Sequence, residues 1–103
     1  MNLITLPPAR REIRSAFAWH ERQRPGAGHR FLAELSGKLL LIEGQPRLFS
    51  QVTLPGLPNE VRRAVLQKFP YSVVYEVKGG DVFVLAIAHA KRRPNYWLNR
   101  LTP

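Results

Sequence analysis

The run Val82-Phe83-Val84-Leu85-Ala86-Ile87-Ala88 is apolar without a break, so neither of its faces suits water. No apolar run in the chain approaches the roughly 20 residues that cross a bilayer, so this one must be buried inside a folded domain. Its length and β-branched content make it a central strand covered on both sides. The preceding segment, Val73-Val74-Tyr75-Glu76-Val77, is equally β-prone. Lys78-Gly79-Gly80-Asp81 joins the two as a two-glycine hairpin turn flanked by opposite charges. A buried hairpin near the C-terminal end is therefore the frame that every other element must cover.

Asn2-Leu3-Ile4-Thr5-Leu6 reads as a first strand that Pro7-Pro8 ends. A helix follows, with Pro8 in its first turn and Ala9, Ile13, Ala16, Phe17 and His20 recurring at intervals of three and four. Arg10, Arg11, Arg14 and Arg22 lie mostly off that face, and Pro25-Gly26 stops the helix. A second helix carries Phe31, Leu32, Leu35, Leu39 and Ile42 on one face, with Gly44 as its expected C-terminal cap. The short link between them predicts an antiparallel helical hairpin. From Gln45 to Asn59 the periodicity fails and Pro46, Pro55 and Pro58 punctuate a loop. Glu60 to Phe69 mixes basic and apolar residues, as a strand with one wet side does. The order predicts an α+β fold: an N-terminal strand and a helical hairpin packed on a mainly antiparallel four-stranded sheet.

The chain has 103 residues, the size of one domain, with no room for a second core. Hydrophobic residues make up 45%, enough to fold rather than stay disordered. Cysteine is absent, which removes thiolate chemistry and suits a cytoplasmic protein. Met1-Asn2-Leu3-Ile4-Thr5 has none of the charged and apolar regions of a signal peptide, and no membrane association is expected. Three scattered histidines and no paired acidic residues at ligand spacing give no metal site. Gly79-Gly80 is a turn and not a phosphate loop, so no cofactor is expected. Sixteen Lys and Arg against seven Asp and Glu leave a net charge of +9, which points to a polyanionic partner, nucleic acid or acidic protein.

Several segments in order carry a family likeness. Trp19-His20-Glu21-Arg22-Gln23-Arg24-Pro25-Gly26 and Phe31-Leu32-Ala33-Glu34-Leu35 resemble the helical hairpin of RelE/ParE-type toxins. Arg62-Arg63-Ala64-Val65-Leu66 and Phe69-Pro70-Tyr71-Ser72-Val73-Val74-Tyr75-Glu76-Val77 resemble their middle strands. Val84-Leu85-Ala86-Ile87-Ala88-His89 and Arg92-Arg93-Pro94-Asn95-Tyr96-Trp97 close the signature. The resemblance covers nearly the whole chain, and the ordered set is specific where each piece alone is weak. It implies a toxin paired with a cognate acidic antitoxin in a hetero-oligomer.

The family divides over mechanism. One branch resembles ribosome-dependent endoribonucleases that cut mRNA; the other inhibits DNA gyrase. Metal-free RNA cleavage requires a group to take the proton of the 2′-oxygen, a cation for the phosphorane and a donor for the leaving oxygen. The resemblance places Arg92 and Tyr96 at the basic and tyrosine positions of the nuclease tail, and Arg63 at a basic strand position. Ser72 stands where the nucleases carry a phosphate-binding Arg, and Val65 where they carry a Lys. A serine supplies no delocalised charge. That departure moves gyrase inhibition ahead of nuclease chemistry, although Lys68, His89, Arg92 and Tyr96 offer a different arrangement. A plain basic nucleic-acid-binding module is the third reading, and the ordered signature counts against it.

His89, at the end of the central strand, has the chemistry of a general acid or base, against the plainer reading of a hydrogen-bonded strand end. His20 and His29 read as packing and surface residues. Arg62 and Arg63 point to opposite faces of a regular strand. Arg92, Arg93, Tyr96 and Trp97, with Arg63 and Lys68, form the expected target-binding set, since guanidinium and aromatic groups suit phosphates and bases. The plainer alternative has Trp97 packing over the core while the arginines stay solvated. Trp19 reads as a hairpin packing residue, although an exposed Trp would suit a partner groove.

Overall fold

The computed structural model describes residues 1–102. Strand β1 (Asn2–Thr5) leads into α1 (Pro7–Gln23) and α2 (Ala27–Gly44). β2 (Ser50–Gln51), β3 (Glu60–Val65), β4 (Tyr71–Lys78) and β5 (Asp81–His89) follow, and a short 3-10 turn spans Leu98–Arg100. The sheet order is β1-β5-β4-β3-β2, with β1 parallel to β5 and the other pairs antiparallel. The α+β architecture is the expected one, but the sheet has five strands rather than four. The extra strand comes from the Gln45–Asn59 segment, where Ser50 and Gln51 pair with Arg63 and Arg62.

Proline and glycine set the helix limits. Leu6 is extended, its N–H bonds the Val84 carbonyl at 3.1 Å, and the two prolines then start α1, where a missing N–H is harmless. Gly26 takes a left-handed φ of 89° between the helices. Glu21 accepts hydrogen bonds there from the N–H groups of Gly26 at 2.9 Å and Gly28 at 3.0 Å, which ties the turn shut. Those bonds, the larger being that from Gly26, hold the Glu21 carboxyl below its ordinary pKa. α2 includes Gly44 as its last residue, and the Gln45 N–H bonds Leu41 O at 2.8 Å. The expected left-handed glycine cap is therefore replaced by an ordinary helix end.

The helices cover one sheet face. Phe31, Leu35 and Ile42 of α2 are buried against Val73, Tyr75, Val82, Val84 and Ile87, each such side chain contributing about 2 kcal/mol by its removal from water. The Tyr75 phenol, its pKa pushed up to about 12 by burial, donates to Pro46 O at 2.6 Å and anchors the loop after α2. The opposite face is covered by the C-terminal segment and the loop before β3. There Trp97 packs on Val61, Val74, Leu85 and Ala86, with Leu54, Leu57 and Leu101 around them. β5 is thus buried on both sides, as its composition requires.

β3 ends at Val65, short of the expected Phe69. Glu34 of α2 takes the N–H groups of Gln67 and of Lys68, the latter at 2.9 Å, so this stretch turns toward the helix instead of continuing the ladder. β5 carries a bulge: Val74 pairs with Ala86 and Tyr75 with Val84, leaving Leu85 unpaired. The adjacent Leu85 and Ala86 both enter the cluster around Trp97. The bulge reverses the alternation, so Ile87 joins the helix-side core and His89 lies opposite Tyr71.

Candidate functional site

The bulge, the β3–β4 register and the C-terminal segment together build a small cavity of about 130 Å³ on the face away from the helices. Arg63 and Ser72 reach it from β3 and β4, and Arg92, Arg93, Asn95 and Tyr96 from the tail. Arg63 and Arg62 do face opposite sides. Arg62 is held inward by Glu60 at 2.8 Å and by the Phe49 carbonyl at 2.8 Å, leaving Arg63 alone to serve the cavity. Burial raises the Glu60 pKa, but hydrogen bonds and charge from Arg47 and Arg62 outweigh it and hold the group low. Asn95 adopts φ 61°, and its carbonyl accepts from the Leu98 N–H at 3.1 Å. Asn tolerates this left-handed conformation because its short side chain crowds the backbone little, and the turn brings the tail back under β5.

One carboxylate organises that tail. Glu12, on α1, accepts from the Tyr96 hydroxyl at 2.7 Å and from Arg100 at 3.0 and 3.1 Å. It also accepts from the Ile87 N–H at 3.0 Å, on the strand edge that β1 leaves uncovered. Arg100 closes the same edge by bonding the Leu85 carbonyl at 3.0 Å. Arg92 lies 4.0 Å over the Tyr96 ring and 3.7 Å from Glu12. Burial, then the hydrogen bond and charge of Glu12, push the Tyr96 pKa far up. The phenol keeps its proton and directs it at Glu12.

The expected residues divide. Arg63, Arg92, Arg93 and Tyr96 meet in the cavity. Trp97 lines its floor but is only 1% exposed, so it anchors the tail and offers no stacking face to a target. This corrects its placement among contact residues. Lys68 sits on the β3–β4 turn and lines a separate groove with Arg24, Arg30 and Phe69 between the turn and the helices. His89, on the helix side of β5, also lines the cavity, its ring edge-on to Tyr71 at 5.1 Å. Its Nδ1 accepts from the Lys91 N–H at 3.0 Å, so the neutral ring carries its proton on Nε2. His20 is a packing residue, as expected, stacked among Phe31, Phe69 and Tyr71.

Glu12 and Arg100 escaped sequence reasoning. The available signal was a lone carboxylate among Arg10, Arg11 and Arg14, which says nothing about a partner 88 residues away. Trp19, expected to pack in the hairpin, is instead 50% exposed. Among the described residues no cluster of His, Asp or Glu could hold a metal ion. No helix among the described residues is long and apolar enough to cross a membrane.

The family model described as ParE toxin of type II toxin–antitoxin system, parDE, matches residues 3–94. Among solved structures the chain is similar to the chromosomal ParDE TA system from P. aeruginosa, at 17% identity and a TM-score of 0.74, covering 88% of this chain and 97% of that one. It is also similar to the isolated E. coli RelE toxin, at 24% identity and a TM-score of 0.60, covering 95% of this chain and 93% of that one. Identities this low speak for the shared fold. No curated protein matches the sequence.

Proposed function

The chain belongs to the ParE toxin family of type II toxin–antitoxin systems, and from that premise we propose that it arrests growth in the cytoplasm by binding DNA gyrase, without cleaving RNA. The observation that carries this reading is the composition of the cavity. Ser72 supplies a hydroxyl where the resemblance places the nucleases' phosphate-binding Arg, and the Tyr96 hydroxyl is hydrogen-bonded to Glu12. What remains is a concave patch of Arg63, Arg92 and Arg93 beside His89, whose Nδ1 is taken by the Lys91 N–H, a set richer in contact groups than in proton carriers. Arginine is well adapted to such contacts, since its planar fork bonds carboxylates bidentately.

A cognate acidic antitoxin neutralises the toxin in a hetero-oligomer. The excess of +9 supports an acidic partner, and most of the few carboxylates are engaged within the fold. Glu12, Glu21, Glu34, Glu60 and Glu76 all accept hydrogen bonds from groups within the fold. Antitoxin association should therefore slow as salt rises.

Purified protein assayed with gyrase and plasmid, and in parallel with programmed ribosomes, tests the proposal. Lost supercoiling with intact mRNA is the expected result. Codon-directed mRNA cleavage with unaffected gyrase would overturn it in favour of the ribosome-dependent endoribonuclease. That second reading draws its support from the same three arginines, which also suit a phosphodiester.

A further inference from the structure

The exposed face of α1 carries a combination that the cavity does not use. Arg11, Ser15, Trp19 and Arg22 recur at helical spacing and all are exposed. The Trp19 indole overlooks a groove of about 470 Å³ between α1 and the uncovered part of β5. Arg11 and Trp19 line one wall, and His89, Arg92 and Arg100 the other. The only carboxylate there, Glu12, is taken up by Tyr96, Arg100 and the Ile87 N–H. Arg11 has no ion pair or hydrogen bond among the described residues, and Arg92 keeps a side chain 54% exposed beside its 3.7 Å contact to Glu12.

We infer that this groove binds single-stranded nucleic acid, with a base stacked on Trp19 and the flanking phosphates on Arg11 and Arg92. An exposed indole between guanidinium groups supplies both interactions that hold a single strand: ring stacking, which tolerates any base, and cationic contacts that track the backbone. The polarity of the groove separates this occupant from a peptide. Donors dominate its lining: Arg11, Arg92 and Arg100 outweigh the acceptors Glu12, Ser15 and the Tyr71 hydroxyl, and Glu12 and Tyr71 are already bonded within the fold. A peptide backbone presents donors and acceptors alternately, whereas phosphate oxygens are acceptors alone. The site shares Arg92 with the cavity proposed above, but Trp19 and Arg11 lie outside that cavity, so binding here would persist in a chain that spares gyrase.

Titration of the full chain with a labelled oligothymidylate of about 10 nucleotides tests this, a length within the usual range for such sites. The protein has two tryptophans, of which Trp97 is buried and lines the other cavity, so the part of the emission change that Trp19→Ala abolishes reports Trp19. Binding should quench that emission, and Trp19→Ala should weaken affinity about 10-fold, whereas Trp19→Phe keeps a stacking ring and most of the affinity. Arg11→Ala should lower the salt slope by about one phosphate contact. Arg24→Ala, at the exposed hairpin tip, removes the same charge away from the groove and should leave affinity within about twofold. Equal weakening by Arg11→Ala and Arg24→Ala would show nothing beyond diffuse attraction to a basic protein and overturn the site. So would full affinity in Trp19→Ala. Quenching by an acidic Glu-Tyr copolymer with none by the oligonucleotide would overturn it in favour of a protein interface.

Discussion

The Tyr96 hydroxyl donates a 2.7 Å hydrogen bond to Oε2 of Glu12, across 84 residues of chain. The same carboxylate takes Arg100 and the Ile87 N–H, so one side chain joins α1, the edge of β5 and the tail. Glu12→Ala would strand three donors in partly buried surroundings and should cost about 3 kcal/mol. Glu12→Gln keeps one acceptor oxygen and should cost less. Tyr96→Phe removes a single bond to a charged group, about 1.5 kcal/mol. Urea denaturation ranks the three variants, and a Glu12→Ala midpoint equal to wild type would mean that the tail is held by Trp97 packing alone. Tyr96→Ala is consequently no surface substitution: it removes both this bond and the ring beneath Arg92.

Arg92 and Arg93 are the substitutions that separate contact from folding. Both side chains are exposed, and the Arg92 ion pair is long and open to water. Such pairs contribute little, so Arg92→Ala and Arg93→Ala should each shift stability by less than about 1 kcal/mol. Growth of cells expressing each variant without antitoxin should recover. If both variants stay fully toxic while folding normally, the cavity is not the target contact.

Ser72→Arg asks what the missing guanidinium is worth. It would add a fourth arginine to a cavity that already holds Arg63, Arg92 and Arg93. Gyrase inhibition should not improve. Ribosome-dependent cleavage should stay absent as well, because the Tyr96 hydroxyl stays hydrogen-bonded to Glu12. Cleavage products on programmed ribosomes would show that charge alone had been lacking.

Two glycines in α2 should respond in opposite directions. A Cβ on Gly28 would lie 2.7 Å from the Phe17 carbonyl oxygen and 2.9 Å from Phe17 Cδ1, where the two helices touch. Backbone cannot yield cheaply, so Gly28→Ala should destabilise by about 2 kcal/mol. A Cβ on Gly37 meets nothing within 4 Å, so Gly37→Ala should stabilise by somewhat under 1 kcal/mol through helix propensity. Thermal melts of both variants against wild type test the pair, and equal effects would contradict the close approach of α1 and α2.

The His20 pKa is lowered from 6.5, first by burial and then by repulsion from His89. Its ring meets Tyr71 at 3.1 Å, with Phe31 and Phe69 alongside. A depressed folded-state pKa means that the unfolded chain binds the proton more readily. Stability should be complete above about pH 6.5 and decline as pH falls through the lower folded-state value. Urea midpoints between about pH 7 and 5 should show this slope, and His20→Gln should flatten it. An unchanged slope in the variant would assign the titration elsewhere.

The sequence by itself determined the elements whose signals are local. Val82–Ala88 had to be a strand buried on both faces, because an apolar run has no side to give to water. Pro7-Pro8 and Pro25-Gly26 had to delimit α1, because proline removes a backbone donor and glycine admits a positive φ. Tertiary structure decided where periodicity was broken by a distant partner. The bulge at Leu85 reverses the alternation of β5 and sends His89 to the helix side, and nothing in an unbroken apolar run marks it. Ser50–Gln51 becomes a strand because β3 offers an edge to pair with, and β3 stops at Val65 because Glu34 captures the next N–H groups. For the site, the tail arginines were legible as a basic cluster, but Lys68 and Trp97 were assigned to it by composition alone. Burial then removed Trp97 from contact, and the β3–β4 turn carried Lys68 to another groove. Glu12 was invisible for the same reason: a carboxylate's role depends on which donors come within 3 Å of it, and those donors are brought there by the folding of the other end of the chain.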